Sequence, residues 1–487
     1  PKEGNVWAIE HSGSDIGGTS AIRSLHQFIT SAPKCRQLLL AQRVPEQDTT
    51  LQLTRNYHPT YDPLLLKAFQ AKDYFLLVGP PGTGKTSMAL QFMVREALAK
   101  DESILLMSYT NRAVDEICGM LSENAIDYIR IGSEYCCDKR YKSHLLSEYI
   151  ENNPRLNVIR EQLMASRVIV GTTSTLQSKS YIFRLKSFSM TIIDEASQIL
   201  EPNLVGLLSH LPKFILIGDY KQLPAVVQQE ANISAVHNTL LHEIGLTNCR
   251  NSLFERLIHV EEAAQRTHFM GVLRAQGRMH PAVAAFPNRM FYFKECLKPV
   301  PLPHQLEEQL DYHLPSIDTL DDALKAYRMM FIPSKLCHHS QLSDKVNADE
   351  AQIVARILGR IHRFYGPSFD ANQTVGVIVP YRNQIAMIRK EIEKLGITGL
   401  EKISIDTVER YQGSQRDVII YSFTIQHRYQ LDFLTANCFE EDGHIIDRKL
   451  NVAITRARKQ MIMTGCRSIL EQDAVFKELI ANSTIFS

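Results

Sequence analysis

The chain has 487 residues, 44% hydrophobic and 22% charged, with 54 Lys and Arg against 53 Asp and Glu. That length suits about three domains at ~150 residues each, and no apolar run approaches the ~18 residues needed to span a bilayer, which excludes a membrane-embedded class. The near-neutral balance neither demands nor excludes a polyanionic partner, because a local basic groove can hide in a neutral total.

The sequence opens at Pro1 rather than Met, and no basic segment followed by an apolar one is present, so no secretory leader is expected. It reads as a piece of a longer protein with additional domains upstream. Nine scattered cysteines, an odd number, agree with an intracellular, reducing compartment, cytoplasmic if the source is prokaryotic. The local clusters Cys136-Cys137 and Cys337-His338-His339 lack a C-x-x-C partner at metal-site spacing and read as structural. Residues 1–55 read as an N-terminal accessory or stalk segment, with SAIRSLHQFI as a candidate amphipathic helix. Its acids Glu10 and Asp15 lack an E-x-K neighbour, so no nuclease site is expected there.

Further along, YFLLVG, ILLMSYT, VIVGTT, TIIDEA and FILIGD alternate with helical patterns across 56–290. TVGVIVPY, ISIDTV, DVIIYSF and QMIMTG do the same across 324–487. Such alternation predicts an α/β chain of two doubly wound parallel-sheet domains. The charged, helix-forming stretch 132–167 is expected as a helical insertion in the first domain. Residues 291–323, with several prolines and no clear period, are expected as a connector.

The run GPPGTGKT, comprising Gly79, Pro80, Pro81, Gly82, Thr83, Gly84, Lys85 and Thr86, fits G-x-x-x-x-G-K-[ST] between a strand pattern and a helix pattern. Backbone N–H groups of such a loop wrap phosphates and the helix N-terminus adds its dipole. Lys85 can reach the β and γ phosphates, and the Thr86 hydroxyl can ligate Mg²⁺. Asp194 and Glu195 in TIIDEASQI end a strand expected beside that loop. Alone, an acid pair there reads as a solvated strand end. Beside a phosphate loop, Asp194 can hold Mg²⁺ through water while Glu195 polarises the attacking water. With no N-K-x-D guanine signature, ATP is the expected nucleotide.

DEASQ followed by GDYKQLP resembles superfamily 1 helicases, and further stretches match in family order: SYTNRAVDEI, VGTTSTL, QGRMHP, VGVIVPYRNQ, TVERYQGSQRDVII and LNVAITRAR. The wording is closest to the superfamily 1B branch that holds the nonsense-mediated-decay RNA helicase and the eukaryotic replication helicase-nuclease. The resemblance implies two RecA-like domains with Mg²⁺-ATP between them and 5′ to 3′ movement on single-stranded nucleic acid, DNA favoured over RNA. It makes Gln222 a γ-phosphate sensor, Arg278 and Arg456 arginine fingers, and Gly413 a backbone donor. Strand contacts are implied around Thr110, Asn111, Thr173, Tyr381, Arg382 and Thr407. An RNA helicase of the same branch is the alternative, as is a nucleotide-gated clamp that does not unwind. The sequence departs from the family at the base: no adenine-reading Gln stands in YHPTYDPLLLKAF, Gly277 replaces an aromatic residue, and Gln415 replaces an acid. Weak adenine selectivity is expected, with Tyr61 stacking on the base.

Overall fold

A computed structural model describes residues 16–152, 154–227, 229–310, 312–337 and 343–486. Glu10, Asp15, His338 and His339 lie outside the described residues. Most of the apolar runs form strands buried along their whole length, as expected of parallel sheets covered on both faces, while the edge strand made from ISIDTV is only partly buried. In the first sheet β1 (Tyr74–Val78), β2 (Ile104–Ser108), β3 (Ile129–Ile131), β4 (Val168–Thr172), β5 (Met190–Asp194), β6 (Phe214–Gly218) and β7 (Met270–Val272) stand in the order β3-β4-β2-β5-β6-β1-β7. Each neighbouring pair is parallel. A short parallel pair, β8 (Ala275–Gln276) with β9 (Lys298–Pro299), follows.

The second sheet takes β10 (Met329–Pro333), β11 (Val375–Val379), β12 (Ser404–Thr407), β13 (Arg416–Ser422), β16 (Ala457–Gly465) and β17 (Thr484–Ile485) in the order β12-β11-β13-β16-β10-β17. Its neighbours are likewise parallel. Between β13 and β16 the chain makes an antiparallel hairpin of β14 (Cys438–Glu441) and β15 (His444–Asp447). Two doubly wound α/β domains are therefore present; loops after the carboxyl ends of β1, β5 and β6 reach one cleft, as is usual for such sheets, and residues just before β13 and β16 complete it.

Three stretches are more ordered than, or placed differently from, the sequence reading. The insertion folds as short helical turns followed by helices Leu146–Asn152 and Leu156–Ala165. Helix Pro281–Met290, expected in the first domain, instead packs Val283, Ala284 and Phe286 into one cluster with Phe331, Tyr421 and Met461 of the second sheet. Its apolar face found its partner across the chain, and periodicity alone cannot name a partner. The expected connector contributes Leu310, Tyr312 and Leu320 to the second domain's core, and helix Thr319–Ala326 begins inside it. At the N-terminal side, helix Ile16–Thr30 docks on the first domain: the Gly206 N–H donates to Ser24 Oγ (2.8 Å) and Ser20 Oγ donates to Gln177 Oε1 (2.8 Å). No helix among the described residues is long and apolar enough to cross a membrane.

Candidate nucleotide site

The loop after β1 turns through Gly82 and Gly84, both at positive φ (74° and 72°), before the helix that begins at Lys85. A side chain at Gly84 would meet the Tyr61 hydroxyl at 2.7 Å, so close approach as well as conformation requires glycine there. Tyr61 donates to the Thr83 carbonyl (3.0 Å) and Thr83 Oγ1 donates to the Pro80 carbonyl (2.7 Å), which ties the loop into one shape.

The two acids at the end of β5 reach this loop in different ways. Thr86 Oγ1 donates to Asp194 Oδ2 at 2.6 Å, while Lys85 Nζ lies 3.6 Å from Glu195 Oε1. Glu195 sits in the left-handed region (φ 55°), a conformation costly for a non-glycine residue and typical of functional sites. Gln198 Nε2 holds its Oε2 at 2.8 Å. Burial, and then the charge of Glu195, push the Asp194 carboxyl up to about 6. Burial acts on Glu195 too, but Lys85, the Gln198 hydrogen bond and Arg456 hold its carboxyl below the ordinary value. Of the two acids, Glu195 is the one whose ionised form the site favours more.

Beside the loop, Gln222 donates from Nε2 to Asp219 Oδ2 (2.7 Å) and accepts at Oε1 from Arg456, which comes from across the cleft (2.8 Å). Arg456 is 2% exposed and also donates to the carbonyls of Val452 (3.0 Å) and Ser414 (3.3 Å). Arg278 donates through Nε to Gln415 Oε1 (2.9 Å) and to the Thr455 carbonyl (3.2 Å). Burial lowers Arg278 to about 10, and burial together with the charge of Arg278 lowers Arg456 to about 9, so both stay cationic at neutral pH. Lys85, Thr86, Glu195, Gln222, Arg278, Gly413 and Arg456 line a single cleft of about 1050 Å³. Asp194 joins it from behind through Thr86.

For Mg²⁺ the protein offers the Thr86 hydroxyl and the Asp194 carboxylate, two hard oxygens in contact. Among the described residues no group of three or more His, Cys, Asp or Glu could cage a metal by itself. A cation that keeps several waters and shares phosphate oxygens suits that donor set.

One expectation is corrected. Tyr61 is 8% exposed, its ring edge-to-face against His58 and Phe92 and its hydroxyl on the loop, so it braces the phosphate loop instead of stacking on a base. A side chain at Gly277 would meet Leu302 Cδ1 at 3.0 Å, and Leu302 lines the cleft there with Val300 and Ala275.

The expected strand contacts lie on both domains and divide by exposure. Thr110, which caps helix Asn111–Glu123 by accepting from the Ala113 N–H (3.1 Å), is exposed, as are Asn111 and Arg382; Thr407 is half-buried. Thr173 is 4% exposed, inside the helix that Thr172 caps, and Tyr381 is covered by Phe433 stacked at 5.0 Å. Neither offers its side chain to a strand in this conformation. The sequence reading missed the insertion's share of the cleft, where Asp138, Arg140 and Tyr141 line it beside Glu116 of helix Asn111–Glu123. No spacing signal connects those residues to the loop.

Two family models, each described as an AAA domain, match residues 62–158 with 152–230 and residues 249–468. The DNA replication ATP-dependent helicase/nuclease of Xenopus laevis is 29% identical over 462 residues, covering 90% of this chain and 40% of that protein. Its counterpart in Arabidopsis thaliana is 29% identical over 84% of this chain and 28% of its own length. An uncharacterized ATP-dependent helicase of Methanocaldococcus jannaschii is 25% identical over 96% of this chain and 77% of its own length. The chain thus spans less than half of the two helicase/nucleases. Among solved structures, the helicase Arterivirus nonstructural protein 10 aligns at 14% identity with a TM-score of 0.40, covering 84% of this chain and 61% of that one.

Proposed function

We propose that the chain, whose two halves match AAA-domain family models and whose relatives are named ATP-dependent helicases, is a superfamily 1 motor that hydrolyses Mg²⁺-ATP in the cleft to move 5′ to 3′ along single-stranded DNA and open duplexes. The observation that carries this reading is the 2.8 Å bond between Gln222 of the first domain and Arg456 of the second. It places a neutral side chain from the acid-bearing sheet and a cation from the opposite domain at one point beside the phosphate loop.

In this reading the loop amides and Lys85 hold the β and γ phosphates, and Glu195 orients water and takes its proton. Thr86 and Asp194 hold Mg²⁺, which when bound neutralises phosphate charge. Arg278 and Arg456 stabilise the charge that grows on the transferred group. ATP favours the closed cleft because it adds contacts from both arginines that the open form lacks. Hydrolysis removes them, so the two domains grip the strand alternately. Exposed Thr110, Asn111 and Arg382 support backbone contacts that do not depend on sequence.

The test is steady-state ATPase of the chain alone, with single-stranded DNA and with single-stranded RNA of equal length, Lys85→Ala serving as the inactive control. Stimulation by DNA and release of a strand from a 5′-tailed duplex are expected. Stimulation by RNA alone would transfer the motor to RNA. Stimulated turnover without strand release from either tail polarity would leave a clamp, and retained turnover in Lys85→Ala would refute the site.

A further inference from the structure

Directly behind Gln222 lies the most deeply buried cluster of charge outside the nucleotide cleft. Lys221 is 0% exposed, with Nζ 3.0 Å from Glu295 Oε2 and 2.7 Å from Glu441 Oε2. Glu441 ends β14 of the hairpin. Its Oε1 accepts from the Tyr220 hydroxyl (2.7 Å) and lies 3.4 Å from Lys294 Nζ, which also reaches Asp442 at 2.9 Å. A buried ammonium is held only as long as its carboxylates are, since each charge alone would be strongly disfavoured there. The hairpin is therefore pinned to the Asp219–Gln222 turn of the other domain by charge, not merely by packing.

The hairpin runs straight into the element that carries Arg456. Asp447, the last residue of β15, caps helix Arg448–Ile454 by accepting from the Leu450 N–H (2.9 Å), and Arg456 follows that helix by two residues. The same helix returns to the turn: Arg448 donates to the Tyr220 carbonyl (2.8 Å) with its guanidinium 4.2 Å from the centre of the Phe439 ring. Asn451 Nδ2 donates to the Lys221 carbonyl (2.7 Å). Tyr220, Lys221 and Gln222 thus meet the hairpin, the helix and the arginine in sequence.

We infer that Lys221 and Glu441 are positioning residues for ATP hydrolysis: their ion pair fixes the hairpin against the Gln222 turn and so sets where Arg456 stands relative to Gln222. This rests on the motor reading above. Glu441 touches no reacting atom; it acts through Lys221 on one side and through the hairpin and its helix on the other.

The test compares Glu441→Gln with Glu440→Gln, an exposed neighbour on the same strand, for kcat and KM of ATP with and without single-stranded DNA or RNA, alongside Tm. Glu441→Gln is expected to lower the stimulated kcat about tenfold, within the usual range of coupling between sites, with KM for ATP within about threefold. Glu440→Gln is expected to match wild type. The triple variant Lys221→Met/Glu295→Gln/Glu441→Leu, which removes the buried charges together, is expected to recover the wild-type Tm but not kcat. A stimulated kcat in Glu441→Gln within about twofold of wild type, or a kcat that returns with Tm in the triple variant, would overturn the inference. A wild-type protein that hydrolyses ATP without stimulation by either nucleic acid would refute the motor reading instead, and the same comparison then decides the pair on the unstimulated kcat.

Discussion

In the proposed motor, replacing Arg456 should separate catalysis from stability. Its guanidinium makes three directed bonds, to Val452, Ser414 and Gln222, in a fork that a lysine ammonium cannot reproduce. An arginine that stabilises phosphoryl-transfer charge contributes ~10³ to 10⁵ in kcat. Arg278 shares the cleft, so the lower end is the expectation for Arg456→Ala: a loss of about 10³, or roughly 4 kcal/mol of barrier. Arg456→Lys should fall by nearly as much. Stability should behave differently. Burial and the charge of Arg278 lower Arg456 to about 9, so the buried cation is disfavoured in the folded chain, a cost that removal of the charge relieves. Acceptors left without donors cost ~1–3 kcal/mol each, so the two effects largely offset and Tm should move little. Steady-state ATPase at saturating single-stranded DNA, paired with thermal unfolding, reads both quantities. A variant that keeps kcat within about tenfold of wild type would refute the transition-state role. A kcat loss matched by collapse of the folded state would show that the guanidinium holds the fold and not the reaction.

Three other outcomes follow from the geometry. Glu350 is 0% exposed and accepts from Ser422 Oγ (2.7 Å) and the Thr424 N–H (2.8 Å), yet burial raises its carboxyl from 4.5 to about 8. The folded chain therefore holds a proton there that the unfolded chain has lost between those pH values, and stability should decline as pH rises from about 4.5 to about 8; Glu350→Gln should flatten that slope in Tm measured across the range. With Gly277 in place of an aromatic residue and Leu302 lining the cleft beside it, wild-type kcat/KM for ATP, GTP and CTP should agree within about tenfold. Leu302→Ala should raise all three KM values together by ~3–10-fold, the worth of one lost apolar contact, and a hundredfold preference for ATP would contradict the apolar shelf. Arg382→Ala should reduce the salt slope of single-strand binding by ~0.7, one phosphate contact, whereas Thr173→Ala, being buried, should leave it unchanged.

The nucleotide loop, the acid pair and both sheets were legible because each is written locally: fully apolar five-residue runs, a glycine spacing, and a strand end. What was missed is mostly relational. Lys221 stands at a variable place in GD-x-x-QLP and reads as a solvated lysine until Glu295 and Glu441, far off in sequence, are seen around it. Tyr61 was found in the right place and given the wrong task, because spacing located the residue but could not show that Phe92 and Thr83 would occupy its ring and hydroxyl. The hairpin, by contrast, did have a local signature that was passed over. Asp442 and Gly443, both at positive φ (49° and 76°), are the Asp-Gly pair that two-residue turns favour, flanked by CFEE and HIID.

The resting partners of the two arginines explain how the cleft can respond to nucleotide at low cost. Among the described residues neither Arg278 nor Arg456 lies in an ion pair; Gln415, Gln222 and backbone carbonyls hold them instead. A cation held by a carboxylate would have to lose a charge-assisted bond before it could serve a phosphate. One held by amide oxygens exchanges a neutral acceptor for a charged one and gains by the difference. Gln415 takes on meaning in that light. An acid at this position would pair with Arg278 and compete with a phosphate for it, while an amide keeps the side chain placed and leaves its charge available. In the proposed motor, the neutral residues around the cleft would therefore bias closure toward a γ phosphate as much as the charged ones do.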